Sequence, residues 1–272
     1  MATMGDRISG SSANRRLYDE VGARNYVNAA PHLKHRRILE LHISLIESVY
    51  SAALQNGKQV RVLDLGAGEG SCTYMFLRMG ARVTAVDISE YQLKHLHELC
   101  EPFSHNLELR HEDVWDALIH LGHYDVVVAN SFLHHVPDYL ELIRRILTHI
   151  EARGQFFSFQ DPLRYDTISK ASYMISSMSY FAWRIFQGNL WQGLRTRIRR
   201  LRGVYVVGSK EDDAEYHVTR NGVDQSAICS LLESNGFDCE LIPYFSTQSA
   251  TFQTLGSRLG LPNTFALIGR RN

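Results

Sequence analysis

The chain of 272 residues is 44% hydrophobic and 21% charged, and its 29 acidic residues balance its 29 basic ones. This is the composition of an ordinary globular protein, and the neutral net charge gives no global footprint for nucleic-acid binding. No uncharged apolar run reaches the ~20 residues that a membrane-spanning helix needs, and the N-terminus lacks the apolar core of a signal peptide. We therefore expect a cytoplasmic protein that does not bind nucleic acid.

The four cysteines, Cys72, Cys100, Cys229 and Cys239, are far apart in the sequence and form no Cys-x-x-Cys pair. Such pairs are typical of zinc sites, and regularly spaced even sets of cysteines are typical of disulfide frameworks. The spacing therefore argues against both and favours a reducing compartment.

The first periodic segment carries Ile38, Leu41, Leu45 and Val49 at steps of three and four, which predicts an amphipathic helix that ends at Gly57. From residue 60 onward, short β-branched runs alternate with helical patterns as far as the run QFFSFQDP. Strict alternation of this kind predicts a parallel sheet with helices on both faces.

Near the C-terminus, a helical pattern that ends at Gly236 is followed by two strands, FDCELIPYF and TFALIGRR. No helix-length pattern separates these two strands. The pair therefore predicts a hairpin-like ending of the sheet.

One segment, Leu163 to Asn221, is far longer than the loop that this alternation requires, and such insertions are usually functional. It contains no acidic residue from Thr167 to Lys210, and apolar residues at helical steps predict a basic helix over residues 183–202. The favoured interpretation is a helix packed on the domain with a solvated basic face. The alternative is a surface that makes weak contact with an anionic membrane or an acyl-carrier partner.

The stretch DLGAGEG carries three glycines, at positions 66, 68 and 70, directly after the first strand. Glycines there let the backbone approach a ligand closely, and the N–H groups of the next helix point at the same space. Asp87 ends the second strand, where a carboxylate can accept the hydroxyls of a ribose. Asp113 ends the third strand, where it can accept from an adenine amino group. Each carboxylate alone is equally well a helix N-cap or a turn residue.

Five ordered motifs resemble those of the class I S-adenosylmethionine-dependent methyltransferases. They cover about residues 60–162 and are VLDLGAGEG (62–70), VTAVDIS (83–89), HEDV (111–114), YDVVVANSFLHHVPD (124–138) and QFFSFQDP (155–162). The resemblance implies a Rossmann-like α/β fold. Its mostly parallel seven-stranded sheet would have helices on both faces, an antiparallel last strand and a helical insertion after strand 5.

The resemblance also implies four regions. They are an N-terminal helical cap (1–57), a cofactor-binding core (58–162), an insertion that forms the acceptor pocket or a lid (163–221) and a C-terminal completion of the core sheet (222–272). An N-terminal cap of this kind closes over the cofactor in the family.

S-adenosyl-L-methionine is the cofactor that the resemblance implies, with S-adenosyl-L-homocysteine as the product. The residues that it assigns to the cofactor follow or end the first four strands: Asp64, Gly66, Gly68, Gly70, Asp87, Ile88, Asp113, Val114, Asn130 and Ser131. A dinucleotide-binding alternative is disfavoured, because its G-x-G-x-x-G fingerprint places the third glycine three residues after the second, whereas here it follows by two.

The stretch SFLHHVPD places His134 and His135 just after the fourth strand. A hydroxyl acceptor needs a general base, and histidine suits that task near neutral pH. The resemblance favours His135 over His134 as the catalytic residue, and an extended segment would turn the two side chains to opposite sides. The competing interpretation is a histidine that only packs at the strand-to-helix junction.

We predict no catalytic metal. Asn130 and Asp161 end neighbouring strands, but no third carboxylate accompanies them, and histidines are poor ligands for Mg²⁺. The beginning and end of the insertion predict an apolar wall for the acceptor, built from Tyr165, Tyr173, Met174, Met178 and His217.

These patterns predict an S-adenosylmethionine-dependent methyltransferase that acts on a small, partly hydrophobic molecule, most simply on oxygen. The acceptor classes are a natural product of secondary metabolism, a sugar-bearing metabolite or a lipid, and assembly as a homodimer is a further expectation. Two alternatives stay open. The fold could catalyse a non-methylating reaction such as a cyclisation with the cofactor as scaffold, or it could serve as a membrane-surface or partner-binding module through the basic helix.

Overall fold

The computed structural model of the protein describes residues 31–54, 58–186 and 221–272. Within these ranges the strands are β1 (Arg61–Leu65), β2 (Arg82–Asp87), β3 (Leu107–His111), β4 (Tyr124–Asn130), β5 (Ile150–Pro162), β6 (Phe237–Tyr244) and β7 (Thr264–Arg271). They form one seven-stranded sheet in the order β3-β2-β1-β4-β5-β7-β6. Neighbours from β3 to β5 are parallel, whereas β7 is antiparallel to both β5 and β6. The predicted Rossmann-like sheet with an antiparallel last strand is confirmed.

Helices cover both faces of this sheet. Those that the structure describes are α1 (Arg36–Leu54), α2 (Ser71–Arg78), α3 (Glu90–Cys100), α4 (Val114–His120), α5 (Tyr139–Thr148), α6 (Lys170–Phe186), α7 (Gln225–Ser234) and α8 (Ala250–Arg258). One helical turn, Pro31–Lys34, precedes α1, and 3-10 turns span Glu101–Asn106 and Leu133–His135. None of these helices is both long enough and apolar enough to cross a membrane.

The core consists of two apolar layers, one on each face of the sheet. On one face α1, α2 and α3 contribute side chains such as Ile46, Phe76 and Leu96, and on the other α4, α5 and α7 contribute Ala117, Ile146 and Leu232. The central strands are buried on both faces, which explains their nearly continuous apolar sequence. Each fully buried leucine, isoleucine or phenylalanine stabilises the fold by about 1.5–3 kcal/mol relative to exposure.

Helix α1 exists as predicted, but its buried face is rotated from the expected one. Leu41 and Leu45 are only partly buried. His42 is fully buried instead, and its ring stacks on that of Phe159 with the centroids 4.1 Å apart. A pattern built on aliphatic side chains could not include this histidine. The predicted end at Gly57 lies outside the described residues.

Helix α8 corrects the predicted hairpin at the C-terminus, because β6 and β7 pair with each other but a helix connects them. Its buried residues are Gln253 and Gly256. A Cβ at Gly256 would lie 2.4 Å from the ring of Phe245, so this helix docks through a glycine. It therefore carries no apolar stripe that a sequence pattern could detect.

A disulfide joins Cys229 to Cys239, with the two Cα atoms 5.4 Å apart, and corrects the expectation that the cysteines form no disulfide. Helix α7 packs along β6, so two cysteines that are ten residues apart in the sequence come into contact. Cys72 and Cys100 are free thiols and are buried. Sequence spacing alone cannot show which elements pack side by side.

The two ends of the insertion are joined at its base. Leu163 forms an isolated β-bridge with Val223, and the guanidinium of Arg164 is 2.6 Å from the carboxylate of Asp224. Gly222 lies in this junction with a φ of 82°, and a Cβ on it would be 2.4 Å from the carbonyl oxygen of Leu163. Helix α6 begins the insertion, and residues 187–220, with most of the predicted basic helix, lie outside the described residues.

Gly222→Ala should therefore lower the free energy of unfolding by about 2–4 kcal/mol, because both a positive φ and a steric clash oppose the side chain. The matched control is Gly236→Ala, where φ is 79° and no atom lies within 4 Å of the added Cβ. That control should lose only about 1–2 kcal/mol. Urea unfolding followed by circular dichroism measures both values, and equal losses would show that the contact with Leu163 does not constrain the junction.

Candidate active site

The candidate crevice lies where the winding of the sheet reverses. β1 and β4 are neighbours at the centre, while β2 continues the sheet on one side and β5 on the other. The connections that leave the carboxyl ends of β1 and β4 therefore diverge, and open α/β sheets bind their ligands at such a point. The glycine loop follows β1 at this point.

The glycine loop requires its glycines for both conformation and space. Gly66 has a φ of 68°, and a Cβ there would lie 2.2 Å from the ring of Phe132. Gly70 precedes α2 with a φ of 88°, and its Cβ would lie 2.5 Å from the side chain of Leu96. Gly68 has a φ of 54° and has more room. A Cβ added there would have one atom within 4 Å, the carbonyl oxygen of Gly66 at 3.9 Å.

Asp87 ends β2 and connects the glycine loop to the next turn. Its Oδ2 accepts a hydrogen bond from the N–H of Gly68 and its Oδ1 accepts one from the N–H of Ser89, both at 2.8 Å. Burial raises the pKa of the Asp87 carboxyl, and these backbone hydrogen bonds oppose the rise. Asp87 therefore holds the loop against β2 with the same carboxylate that the resemblance assigns to a ribose.

Three acidic side chains are buried around this loop: Asp64, Glu69 and Asp87. Burial is the main cause that raises the pKa of Asp64 to about 7. The Thr73 hydroxyl donates to Oδ2 of Asp64 at 2.6 Å and opposes this rise. The neighbouring carboxylates of Glu69 and Asp87 add to the rise. Among the described residues, Oδ1 of Asp64 has no hydrogen-bond partner. The end of β1 therefore suits a ligand group that brings a donor or a positive charge.

Asp113 serves as the N-cap of α4. Its Oδ1 accepts from the N–H of Trp115 at 2.9 Å, and Val114 begins the helix. Nearby, Nε2 of His111 is 3.2 Å from the carbonyl oxygen of Ile88. The structure thus realises the helix-cap interpretation of Asp113, and contacts of these residues with an adenine stay a prediction.

The end of β4 combines an unsatisfied acceptor with backbone strain. Oδ1 of Asn130 is buried and has no hydrogen-bond partner in the described part of the chain. Ser131 has a φ of 52°, and its N–H donates to the carbonyl oxygen of Phe159 at 2.6 Å. A non-glycine residue in this conformation costs about 1–3 kcal/mol, and such strain concentrates at functional sites.

His134 and His135 lie in a 3-10 turn, which corrects the expectation of an extended segment with side chains on opposite sides. Their rings are neighbours, with centroids 4.0 Å apart. Nδ1 of His134 is 2.8 Å from Oδ1 of Asp161, and the same oxygen accepts the backbone N–H of His134 at 3.1 Å. The carboxylate therefore contacts the histidine that the sequence favoured less.

Sequence reasoning missed the roles of three polar residues at the site. Asp161 was considered only as a metal ligand, and Ser158 was not considered, although its hydroxyl donates to Oδ2 of Asp161 at 2.7 Å. Residues three apart in a regular strand point to opposite faces, so this spacing gave no signal. Glu69 did carry a signal, since an acidic residue between two loop glycines is visible in the sequence.

The predicted acceptor wall is only partly described. Tyr165 is partly buried, whereas Tyr173, Met174 and Met178 of α6 are 49%, 57% and 51% exposed. His217 lies outside the described residues. No group of three or more potential metal-ligating side chains occurs in the part of the chain that the structure describes.

Comparisons with known proteins agree with this geometry. Residues 62–154 match a family model described as a methyltransferase domain. The chain is 36% identical over 100 residues to a ubiquinone biosynthesis O-methyltransferase of Xanthomonas campestris pv. campestris (strain B100), covering 36% of this chain and 41% of that protein. The corresponding protein of Xanthomonas axonopodis pv. citri (strain 306) is 32% identical over 111 residues, which is 40% of this chain and 46% of its own. The chain spans less than half the length of these curated relatives.

Two solved structures share the fold over nearly the whole chain. A putative sarcosine dimethylglycine methyltransferase from Galdieria sulphuraria has a TM-score of 0.58 at 16% identity, covering 93% of this chain and 99% of its own. Magnesium protoporphyrin IX methyltransferase (ChlM) from Synechocystis PCC 6803, with bound SAH, has a TM-score of 0.57 at 15% identity. The match covers 97% of this chain and 100% of that protein. These likenesses show that the chain has a Rossmann-like methyltransferase fold, and residues 62–154 match the methyltransferase domain.

Proposed function

We propose that the protein transfers a methyl group from S-adenosyl-L-methionine to a small, partly hydrophobic acceptor. The observation that carries this proposal is the pair of buried, unsatisfied acceptor atoms at the ends of adjacent central strands, Oδ1 of Asp64 and Oδ1 of Asn130. Native proteins satisfy nearly all buried polar atoms, so two unpartnered acceptors at adjacent strand ends beside the glycine loop support a ligand site there. The glycine loop between β1 and α2 provides the close backbone approach for that ligand.

The donors and charges of the cofactor fit these residues. Its amino group brings a positive charge and hydrogen-bond donors, and Oδ1 of Asp64 and Oδ1 of Asn130 have no donor among the described residues. Each oxygen of the Asp87 carboxylate accepts a backbone hydrogen bond, and the carboxylate keeps lone pairs for a ribose hydroxyl. When bound, the cofactor supplies a methyl group on a sulfonium, whose leaving group is already activated. The protein then has mainly to align the acceptor and exclude water.

An acceptor that is methylated on oxygen is the finer part of the proposal. The two Xanthomonas relatives that match part of this chain are named ubiquinone biosynthesis O-methyltransferases. The exposed Tyr173, Met174 and Met178 of α6 offer adaptable apolar contacts for a ring or a chain at the start of the insertion. A product from a cofactor labelled in its methyl group distinguishes this proposal from a reaction that uses the cofactor only as a scaffold, because only methyl transfer moves the label.

The first test is calorimetric titration of the full chain with S-adenosylhomocysteine. We expect micromolar binding to the wild type and at least a tenfold loss in Asp87→Ala, because the loop loses its anchor and the ribose its acceptor. Asp166→Asn is the matched control, since this carboxylate pairs with Arg164 at 2.9 Å and is half exposed. No heat from the wild type at millimolar ligand would refute the proposed function.

The pH dependence of binding is the second test. Burial raises the pKa of Asp64 to about 7, so its carboxyl group is largely neutral below that pH and ionised above it. Because the ionised form attracts the amino group of the cofactor, affinity should rise from about pH 5.5 to 7.5 and then level off. Asp64→Asn should bind more weakly at pH 8 and lose this rise. A slope that persists unchanged in the variant would assign it to Glu69 or Asp87, whose pKa values burial also raises.

The same group makes a prediction for the stability of the free protein. The folded-state pKa of Asp64 lies above its unfolded value, so the unfolded chain binds fewer protons and stability falls as pH rises from about 4 to 7. One pKa unit corresponds to about 1.4 kcal/mol, so the loss amounts to several kcal/mol above pH 7. Asp64→Asn should therefore melt at a higher temperature than the wild type at pH 8 but not at pH 4. Scanning calorimetry checks this, and an equal difference at both pH values would contradict it.

A further inference from the structure

We propose that Asp161 is a positioning residue that holds His134 as the general base, and that the acceptor atom is therefore the oxygen of a neutral hydroxyl group. This inference rests on the proposed function and deepens it by naming the substrate class. Asp161 is fully buried, and three groups contact its carboxyl group: Nδ1 and the backbone N–H of His134 and the hydroxyl of Ser158. These contacts leave the carboxyl group little freedom to turn.

A β-bulge makes this arrangement possible. In a regular strand Ser158 and Asp161 would point to opposite faces, because they are three residues apart. The pairing of β5 with β7 shifts between Phe159 and Asp161, and Gln160 in the bulge has a φ of 68°. The bulge turns Asp161 so that its Oδ2 lies 2.7 Å from the hydroxyl of Ser158 and its Oδ1 faces His134. Bulges often re-aim a side chain beside an active site.

The surrounding side chains maintain the strained backbone of the bulge. Oε1 of Gln160 accepts from the hydroxyl of Tyr244 at 2.9 Å, and Nε2 of Gln160 donates to Oγ of Ser246 at 2.7 Å. On the neighbouring strand, Ser131 is strained as well and donates its N–H to Phe159. Two non-glycine residues with positive φ thus flank the contact between Asp161 and His134. Strain of about 1–3 kcal/mol per residue persists only where the surrounding structure enforces it.

The contact with Asp161 selects one tautomer of His134. An ionised carboxylate only accepts hydrogen bonds, so Nδ1 of His134 carries the hydrogen and Nε2 carries the lone pair. Nε2 is then the basic nitrogen, and the carboxylate stabilises the ring when Nε2 takes up a proton. Carboxylates orient catalytic histidines in this way on unrelated folds. The ring of His135 lies beside that of His134 at an interplanar angle of 44°, and His135 is 9% exposed, which suits a wall of the site.

A histidine that is positioned as a general base indicates the chemical class of the acceptor. A carboxylate or a thiolate attacks a sulfonium methyl without help, whereas an alcohol or phenol must lose its proton as the bond forms. In the proposed step the acceptor oxygen gives its proton to Nε2 of His134 and bonds to the methyl carbon. The electron pair of the carbon–sulfur bond stays with sulfur, which becomes a neutral thioether. General-base help of this kind contributes about 10²- to 10⁴-fold in rate.

Nuclear magnetic resonance of the full chain labelled with ¹⁵N-histidine tests the tautomer without any turnover. His134→Gln identifies the signals of His134, and the spectra are recorded with and without S-adenosylhomocysteine. We expect the Nδ1–H tautomer in the wild type, loss of that tautomer in Asp161→Asn and a partial loss in Ser158→Ala. Asp166→Asn should leave the signals unchanged. An Nε2–H tautomer in the wild type, or an unchanged spectrum in Asp161→Asn, would overturn the inference.

The substrate class is tested with cofactor that carries a deuterated methyl group and a small-molecule cell extract. The wild type should label hydroxyl compounds, each of which loses one exchangeable hydrogen. His134→Gln and Asp161→Asn should lower that labelling at least 100-fold while the dissociation constant for S-adenosylhomocysteine stays within about threefold. Labelling of carboxylates or amines alone, or none at all, would overturn the hydroxyl class. If the wild type does not bind S-adenosylhomocysteine, the proposed function is refuted instead.

Discussion

The divergence of the chain at the ends of β1 and β4 is the constraint on which the site depends. Because β1 and β4 are neighbours whose connections leave in opposite directions, neither covers the ends of the two central strands. Thr73 of α2 donates to one oxygen of Asp64, but the described connections offer no donor to its other oxygen or to the amide oxygen of Asn130. Asp64 and Asn130 keep unsatisfied acceptor oxygens for this reason, and the sheet around them is otherwise packed on both faces.

The buried charge and the strained backbone of the site lower the stability of the folded protein, and the rest of the fold offsets this loss. Burial of Asp64 opposes its ionised form, and Ser131 and Gln160 hold strained backbone conformations. Two apolar layers that fill both faces of the sheet compensate for these terms. Ser131, Gln160 and the buried Asp64 all lie at or near the carboxyl ends of central strands, and functional sites are expected to break local rules of this kind.

Much of the fold could be predicted from the sequence, because buried parallel strands and a glycine loop leave strong local patterns. The reversed β7 was expected both from the resemblance and from the hairpin-like pattern of the last two strands. Features that depend on contacts between distant residues could not be predicted. The disulfide requires α7 to lie along β6, and α8 docks through Gly256 against Phe245 without an apolar stripe. The resemblance assigned Asp64 and the strand pattern found Asp87, but Glu69 and the shared burial of the three acids were missed.

The choice between the two histidines shows why site chemistry needs the third dimension. The two histidines are adjacent in the sequence, and the resemblance favoured His135. The bulge at Gln160 supports the proposal of His134, since it aims Asp161 at that residue through a change of register that no local pattern announces. The proposed base is thus positioned by β5, whereas Tyr173, Met174 and Met178 of α6 are about half exposed at the start of the insertion. Acceptor preference could therefore change through the insertion while the geometry of proton removal stays fixed in the sheet.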